Sequence, residues 1–224
     1  MADKASNMQE RPSTPVSARF AAGEDPAKRE QILDGARRVF MRVGFDAASM
    51  NDVTREAGVS KGTIYVYFSN KEDLFAALIE RQKSRFVDSL RHTLMDQPSV
   101  ESGLRSFAQA FIHQVVATDM VPAMRSVLGV YERMPGLCHR FLNAAPTNAR
   151  TVLVDFLELH AAKGHLSIDD SRMAAQHFID LATASYFKLR LFNELTTPPP
   201  QSEIDYTIDC ALKVFMKAYG PTNS

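Results

Sequence analysis

The chain is poor in the residues that build covalently stapled or metal-held scaffolds. Its two cysteines, Cys138 and Cys210, stand alone, with no C-x-x-C or histidine spacing around either. That argues against a disulfide framework or a zinc site and fits a reduced, cytoplasmic protein. Net charge is missing as well, because 26 basic side chains meet 26 acidic ones, so overall charge favours no particular partner. No stretch approaches the roughly 18 apolar residues of a membrane span. The opening MADKASNMQE lacks the apolar run of a signal peptide. No membrane role is expected. No run of alternating apolar and polar residues is joined by an Asn-Gly or Asp-Gly turn, so strands are not required. The H-E-x-x-H, G-x-S-x-G, P-loop and G-x-G-x-x-G patterns are absent too. His160 and His165, five apart around Gly164, are poorly spaced for one helix face. Neither catalysis nor a metal nor a cofactor is expected.

What is present is helical. With 45% hydrophobic and 23% charged residues, the 224-residue chain has globular composition and room for a small domain plus a larger one. Residues 1–25 are polar and contain Pro12 and Pro15, so they read as a disordered arm. Asp25-Pro26 then supplies a cap and a first helical residue, and Ile32, Leu33, Ala36, Val39, Phe40 and Val43 recur on one face before Gly44. Ser49 with Asp52 opens a short helix that stops at Gly58, Ser60 caps another, and Ser69 with Glu72 predicts a capping box for a long helix. Further helical periods cover 99–118, 121–134, a stretch interrupted near Pro146, 169–192, and a last helix opened by Ser202 with Asp205. The fold class is all-α, with about nine or ten helices. The expected division is an arm over 1–25, a helix-turn-helix domain over 26–74 and a larger helical domain over 75–224.

The segment VSKGTIYVYF (59–68) carries the functional signal. A helix this short is marginal alone, so neighbours must hold one face. At about 100° per residue, Ile64 and Phe68 lie together and face a core with Val53, Ala57, Phe40 and Val43. The opposite side shows Gly62 and Val66 flanked by Thr63 and Tyr65, with Lys61 at the exposed end. A helix ending at Gly58, a turn, then a capped helix is helix-turn-helix geometry, whose second helix enters the major groove. There Gly62 permits close backbone approach, and Lys61 reaches a base edge or a phosphate. Val66 suits a thymine methyl, while Tyr65, Tyr67 and Thr63 donate to phosphates. Ser49, Ser60 and Lys71 sit at three helix starts, where backbone N–H groups also bind anions. Between Pro26 and Lys71 eight basic residues meet five acidic ones, a mild positive excess.

These residues resemble a known family. REQILDGARRVFMRVGFDAASMNDVTREAGVSKGTIYVYFSNKEDLFAAL (29–78) is similar to the N-terminal domain of the tetracycline-repressor (TetR/AcrR) regulators, most closely in AGVSKGTIYVYFSNKEDL. The resemblance implies a two-fold dimer that offers one reading helix per subunit to successive major grooves of a palindromic double-stranded operator. It implies DNA contacts by Ser49, Lys61, Thr63, Tyr65, Tyr67 and Lys71. Asn51 stands where many members carry an arginine that reaches a base, and its shorter amide can read adenine. It also implies that residues from about 75 onward bind a small-molecule effector and dimerise, and that occupancy represses transcription.

Two sets of residues in the larger domain follow from this. Phe107, Phe111, Met120, Met124, Leu128, Tyr131, Phe141 and Phe178 are candidates to line an apolar pocket, with His113, Arg125 and His177 as polar contacts. Ala182, Ser185, Leu189, Ile204, Ile208, Leu212 and Phe215 are candidates for the dimer interface, as part of a four-helix bundle. The expected protein is a homodimeric repressor released from its operator by an apolar or amphipathic ligand. A helical module that has lost DNA contacts, a regulator answering to a partner protein, and an activator are the alternatives.

Overall fold

The computed structural model describes residues 21, 23–95, 97–133, 135, 136 and 148–221, and these form nine helices without a strand. Local caps decide most boundaries. Asp25 accepts from the N–H groups of Ala27 and Lys28 at 2.9 and 3.2 Å and starts α1 (Pro26–Ala47). The regular helix breaks at Gly44, whose φ of 79° and ψ of 169° no other residue adopts at low cost. Ser49 and Asp52 form the reciprocal capping box that starts α2 (Met50–Ala57), which Gly58 ends in the left-handed region at φ 65°. Ser60 caps α3 (Lys61–Tyr67).

The cap of α4 (Lys71–Met95) falls one residue later than the sequence suggested. Asn70 Oδ1, not Ser69, accepts from the backbone of Asp73 at 2.7 Å, and the Asp73 carboxylate accepts from the Ser69 N–H at 3.2 Å. The start is set by Lys71, whose ammonium is anchored on the end of α1. Ser99 caps α5 (Val100–Ala117), and α6 (Met120–Gly129) is shorter than its apolar period, giving way to turns through Arg133. Then come α7 (Ala149–Ala162), capped by Asn148, and α8 (Ser171–Leu191), capped by Asp170. Helix α9 (Gln201–Tyr219) starts after Pro200 with no side-chain cap, so the predicted Ser202–Asp205 box is not used; Asp205 accepts from the Gln201 amide instead. The arm over 1–20, Cys138, Phe141 and the helix expected around Leu142 lie outside the described residues.

Buried side chains form two cores, and α4 runs through both. The first gathers Ile32, Leu33, Val39 and Phe40 of α1 with Val53, Ile64 and Phe68, closed by Leu74, Phe75, Leu78 and Ile79 of α4. Val127 and Val130, from α6 and the turn after it, also pack into it. The second gathers Val87, Leu90 and Leu94 of α4 with apolar faces of α5, α7, α8 and α9. Val43, expected in the first core, is 45% exposed. The break at Gly44 delivers Phe45 instead, and its ring packs on Phe40 and Phe75 at 5.8 and 4.9 Å.

Gly35 sets the approach of α2 to α1. A Cβ there would lie 2.6 Å from the Ala57 Cβ and 2.8 Å from its Cα, so the two backbones touch only because no side chain intervenes. Gly35→Ala therefore forces the helices apart. A cost of about 1–3 kcal/mol is expected for such overpacking, read as a lower melting temperature. A wild-type melting temperature in that variant would show the contact to be compliant.

Candidate nucleic-acid interface

Helix α1 is the frame on which the helix pair is mounted. Gln31 Nε2 donates to the Ala57 carbonyl at 2.6 Å, satisfying the end of α2. Arg38 and Arg42 grip the Glu56 carboxylate at 2.7 and 3.1 Å. The Arg38 hydrogen bond is the main reason the Glu56 pKa lies below the usual carboxylate range. Asp52 is lowered likewise, chiefly by the Ser49 hydroxyl that donates to it at 2.6 Å, with Arg55 adding an ion pair at 2.7 Å. Much of the positive excess over 26–71 is thus spent inside the domain, and a generic basic surface is not what remains.

What remains is one face of α3. Ile64 and Phe68 are 0% and 3% exposed and anchor the helix, while Tyr65 and Val66 are 46% and 52% exposed on the other side with Lys61 and Gly62. Ser60 Oγ accepts from the Thr63 N–H at 3.0 Å and lies 2.7 Å from the Thr63 hydroxyl, which half-buries that side chain. Tyr67 is half-buried against the first core. Ser49, Asn51 and Ser60 are exposed at the starts of α2 and α3.

Gly62 separates a packing role from a binding one. A Cβ at Gly62 would meet only Ser60 Oγ, at an ordinary 3.8 Å. Glycine in a helix costs about 1 kcal/mol relative to alanine, and nothing among the described residues requires that cost. The vacancy faces outward, where a partner's surface would come.

Lys71 departs from its expected role. Its ammonium donates to the carbonyls of Phe45, Asp46 and Ala48 at 2.8, 3.1 and 3.0 Å and sits 4.5 Å from the centre of the Phe45 ring. A lysine has three N–H donors, so all three are occupied in closing the end of α1, and none is left for a phosphate.

Comparison with known proteins decides the family. A model of the "AefR-like transcriptional repressor, C-terminal domain" matches residues 102–221, more than half the chain, and one of "Bacterial regulatory proteins, tetR family" matches residues 32–78. The chain belongs to the TetR family. Among curated relatives, the transcriptional activator FasR of Mycolicibacterium smegmatis is 34% identical over 38% of this chain and 38% of its own length. The transcriptional repressor ComR of Escherichia coli is 33% identical over 41% of this chain and 44% of its own. The chain thus spans under half the length of each. Solved structures match more fully. A TetR-family regulator from Mesorhizobium loti has a TM-score of 0.79 at 22% identity, covering 88% of this chain and 98% of that one. The flavonoid-responsive regulator FrrA has a TM-score of 0.70 at 30% identity, covering 88% and 99%.

The larger part of this TetR-family chain holds a cavity of about 1020 Å³. Its wall joins α1 (Phe40, Met41) and α4 (Phe75, Leu78, Ile79, Phe86) to α5 and α6. Of the sequence candidates, Met120 and Met124 line it, as do His113 and Arg125. Phe107 and Phe178 do not, being 1% and 0% exposed in the second core. Phe111 stacks between Phe86 and Phe107 at 5.7 and 5.6 Å, outside the lining. Leu128 and Tyr131 are 55% and 53% exposed and also stand outside it. His177 instead bonds Tyr219 at 2.7 Å. The contribution of α4 was missed because its apolar period reads as plain core.

The expected interface residues divide in the same way. Ala182, Ile204, Ile208, Leu212 and Phe215 are buried within the single chain, whereas Ser185 and Leu189 are exposed. The large apolar side chains left outward on α8 and α9 include Met173, Leu181, Leu189, Tyr206 and Val214, with Phe192 at the end of α8.

Gly62→Ala tests the interface without disturbing the fold. Its melting temperature is expected to equal or exceed that of the wild type, while affinity for a specific DNA duplex falls at least about tenfold, or ~1.4 kcal/mol. Unchanged affinity would remove this face from the contact.

Proposed function

We propose that the chain is a homodimeric, sequence-specific repressor that binds a palindromic operator in the cytoplasm and is released by a small ligand. The observation that carries the reading is the outward face of α3, where Lys61, Gly62, Tyr65 and Val66 are displayed on a helix anchored from behind. Lys61 and Tyr65 suit phosphates or base edges, Val66 suits a thymine methyl, and Gly62 lets the backbone approach. Ser49, Asn51, Ser60 and Thr63 frame the contact, and the ring of Tyr67 supports it from the core edge.

Two copies are needed to read a palindrome. Of the apolar side chains exposed on α8 and α9, Leu181, Leu189, Phe192, Tyr206 and Val214 are the surface for the second copy. The repressor sign is supported by the AefR-like repressor model over 102–221.

Release follows from where the cavity lies. Residues of α1 and α4 that support α3 also form its wall. Arg37 of α1 is ion-paired to Asp119, the residue before α6, and both line the cavity as well. A ligand that fits better when these helices are spread weakens DNA binding by its differential affinity for the two arrangements.

Titration of the purified protein with duplexes from the DNA flanking its own gene tests the reading. One palindromic duplex is expected to bind saturably, with two protomers per site and affinity that falls as salt rises. Equal, weak binding to every duplex would overturn it.

A further inference from the structure

The chain enters α1 from beside the reading helix. Gly23 stands so close to Val66 that a Cβ there would lie 3.1 Å from Val66 Cγ1 and 3.4 Å from the Val66 carbonyl oxygen. A local turn holds this approach, with the Glu24 N–H donating to the Ala21 carbonyl at 3.0 Å and Gly23 at a φ of 90°, which glycine adopts freely. Val66 is still half exposed, so the turn borders the outward face of α3 without covering it. At the same end of α3, Arg29 of α1 holds its guanidinium 5.5 Å from the centre of the Phe68 ring. That arginine is exposed and makes no ion pair among the described residues. This edge of the reading face is therefore open to an anion.

The sequence that leads into the turn is basic. RPSTPVSARFAAG (11–23) carries Arg11 and Arg19 and no carboxylate. Covalent reach alone limits where these two can stand. Arg19 is two residues from Ala21, at most about 7 Å of extended chain, and Arg11 is ten residues away, at most about 36 Å. A duplex seated on α3 presents a phosphate charge about every 1.7 Å of its axis. One helical turn of it measures about 34 Å, so the arm begins at the edge of the contacted groove and can follow the duplex for about one turn. We propose that the arm is a second DNA contact, in which Arg19 holds phosphates beside the groove read by α3 and Arg11 holds phosphates farther out on the flank of the operator. It rests on the DNA-binding reading above. Phosphate contacts carry no base preference, so the arm adds affinity and leaves the choice of operator to α3.

The test compares the full-length protein with an Arg11→Ala/Arg19→Ala variant on the duplex selected from the DNA flanking its own gene. Two arginines in each of two protomers correspond to about four phosphates, and each phosphate neutralised steepens the fall of log affinity with log salt by about 0.9. The slope of the variant is therefore expected to be shallower by about 3 to 4, with affinity at low salt at least about tenfold lower and a gap that narrows as salt rises. Operator and scrambled duplexes are expected to lose similar factors. The melting temperature without DNA is expected to match that of the wild type.

Trimming the duplex to its two half-sites separates contact from an indirect effect on the fold. The wild type is expected to weaken on the trimmed duplex, while the variant binds trimmed and long duplexes alike. A variant with the wild-type slope and affinity on the long duplex would overturn the inference and leave the repressor reading standing. So would an equal loss on trimming in both proteins. Equal, weak binding of the wild type to every duplex would remove both.

Discussion

From a position where its own side chain is 6% exposed, Arg81 of α4 holds Glu30 and Asp34 of α1 at 3.0 and 2.8 Å. The clamp lies between the last α4 residue of the first core, Ile79, and the first of the second, Val87. The guanidinium is buried and its partners are partly exposed, so losing both would leave a buried charge without compensation. This ties the helix that carries α2 and α3 to the helix that continues into the larger domain. Val127 and Val130 pack into the first core from the other side. The reading helix is thus connected to the rest of the chain through packed side chains and not through a flexible linker.

The cavity occupies the space that this arrangement leaves open. Its wall takes Phe40 and Arg37 from α1, Phe75 to Phe86 from α4, and the start of α6. No part of that wall belongs to the second core's interior, where Phe107 and Phe178 pack 6.4 Å apart. A ligand placed here would bear on the helices that set the position of α3, and the mechanism needs no longer path.

The sequence made the helix starts and stops legible because caps are local. Asp25, Ser49 and Ser60 cap as their spacing implies, and Gly44 and Gly58 stop helices through positive φ values of 79° and 65°. The two faces of α3 were legible for the same reason, since seven residues of helix leave little choice once Ile64 and Phe68 face inward. Partners far apart in sequence were not legible. The period of α9 showed that Ile208 and Phe215 share a face, but not that the face packs on its own chain. Lys71 looked like a free cation at a helix start until the carbonyls exposed by the Gly44 break came to lie around it. Gly35 and Arg81 gave no local signal, because their meaning lies wholly in Ala57 and in Glu30 with Asp34.

The central claim is that DNA at α3 and the cavity wall report on one another through α1 and α4. Amide hydrogen exchange measured with a specific operator duplex and with a scrambled one tests it without a ligand. The account predicts that operator binding changes protection beyond 49–68, in the cavity-lining turns of α4 over 75–86 and at the start of α6. Changes confined to 49–68, with α4 and α6 exchanging as in the free protein, would contradict it.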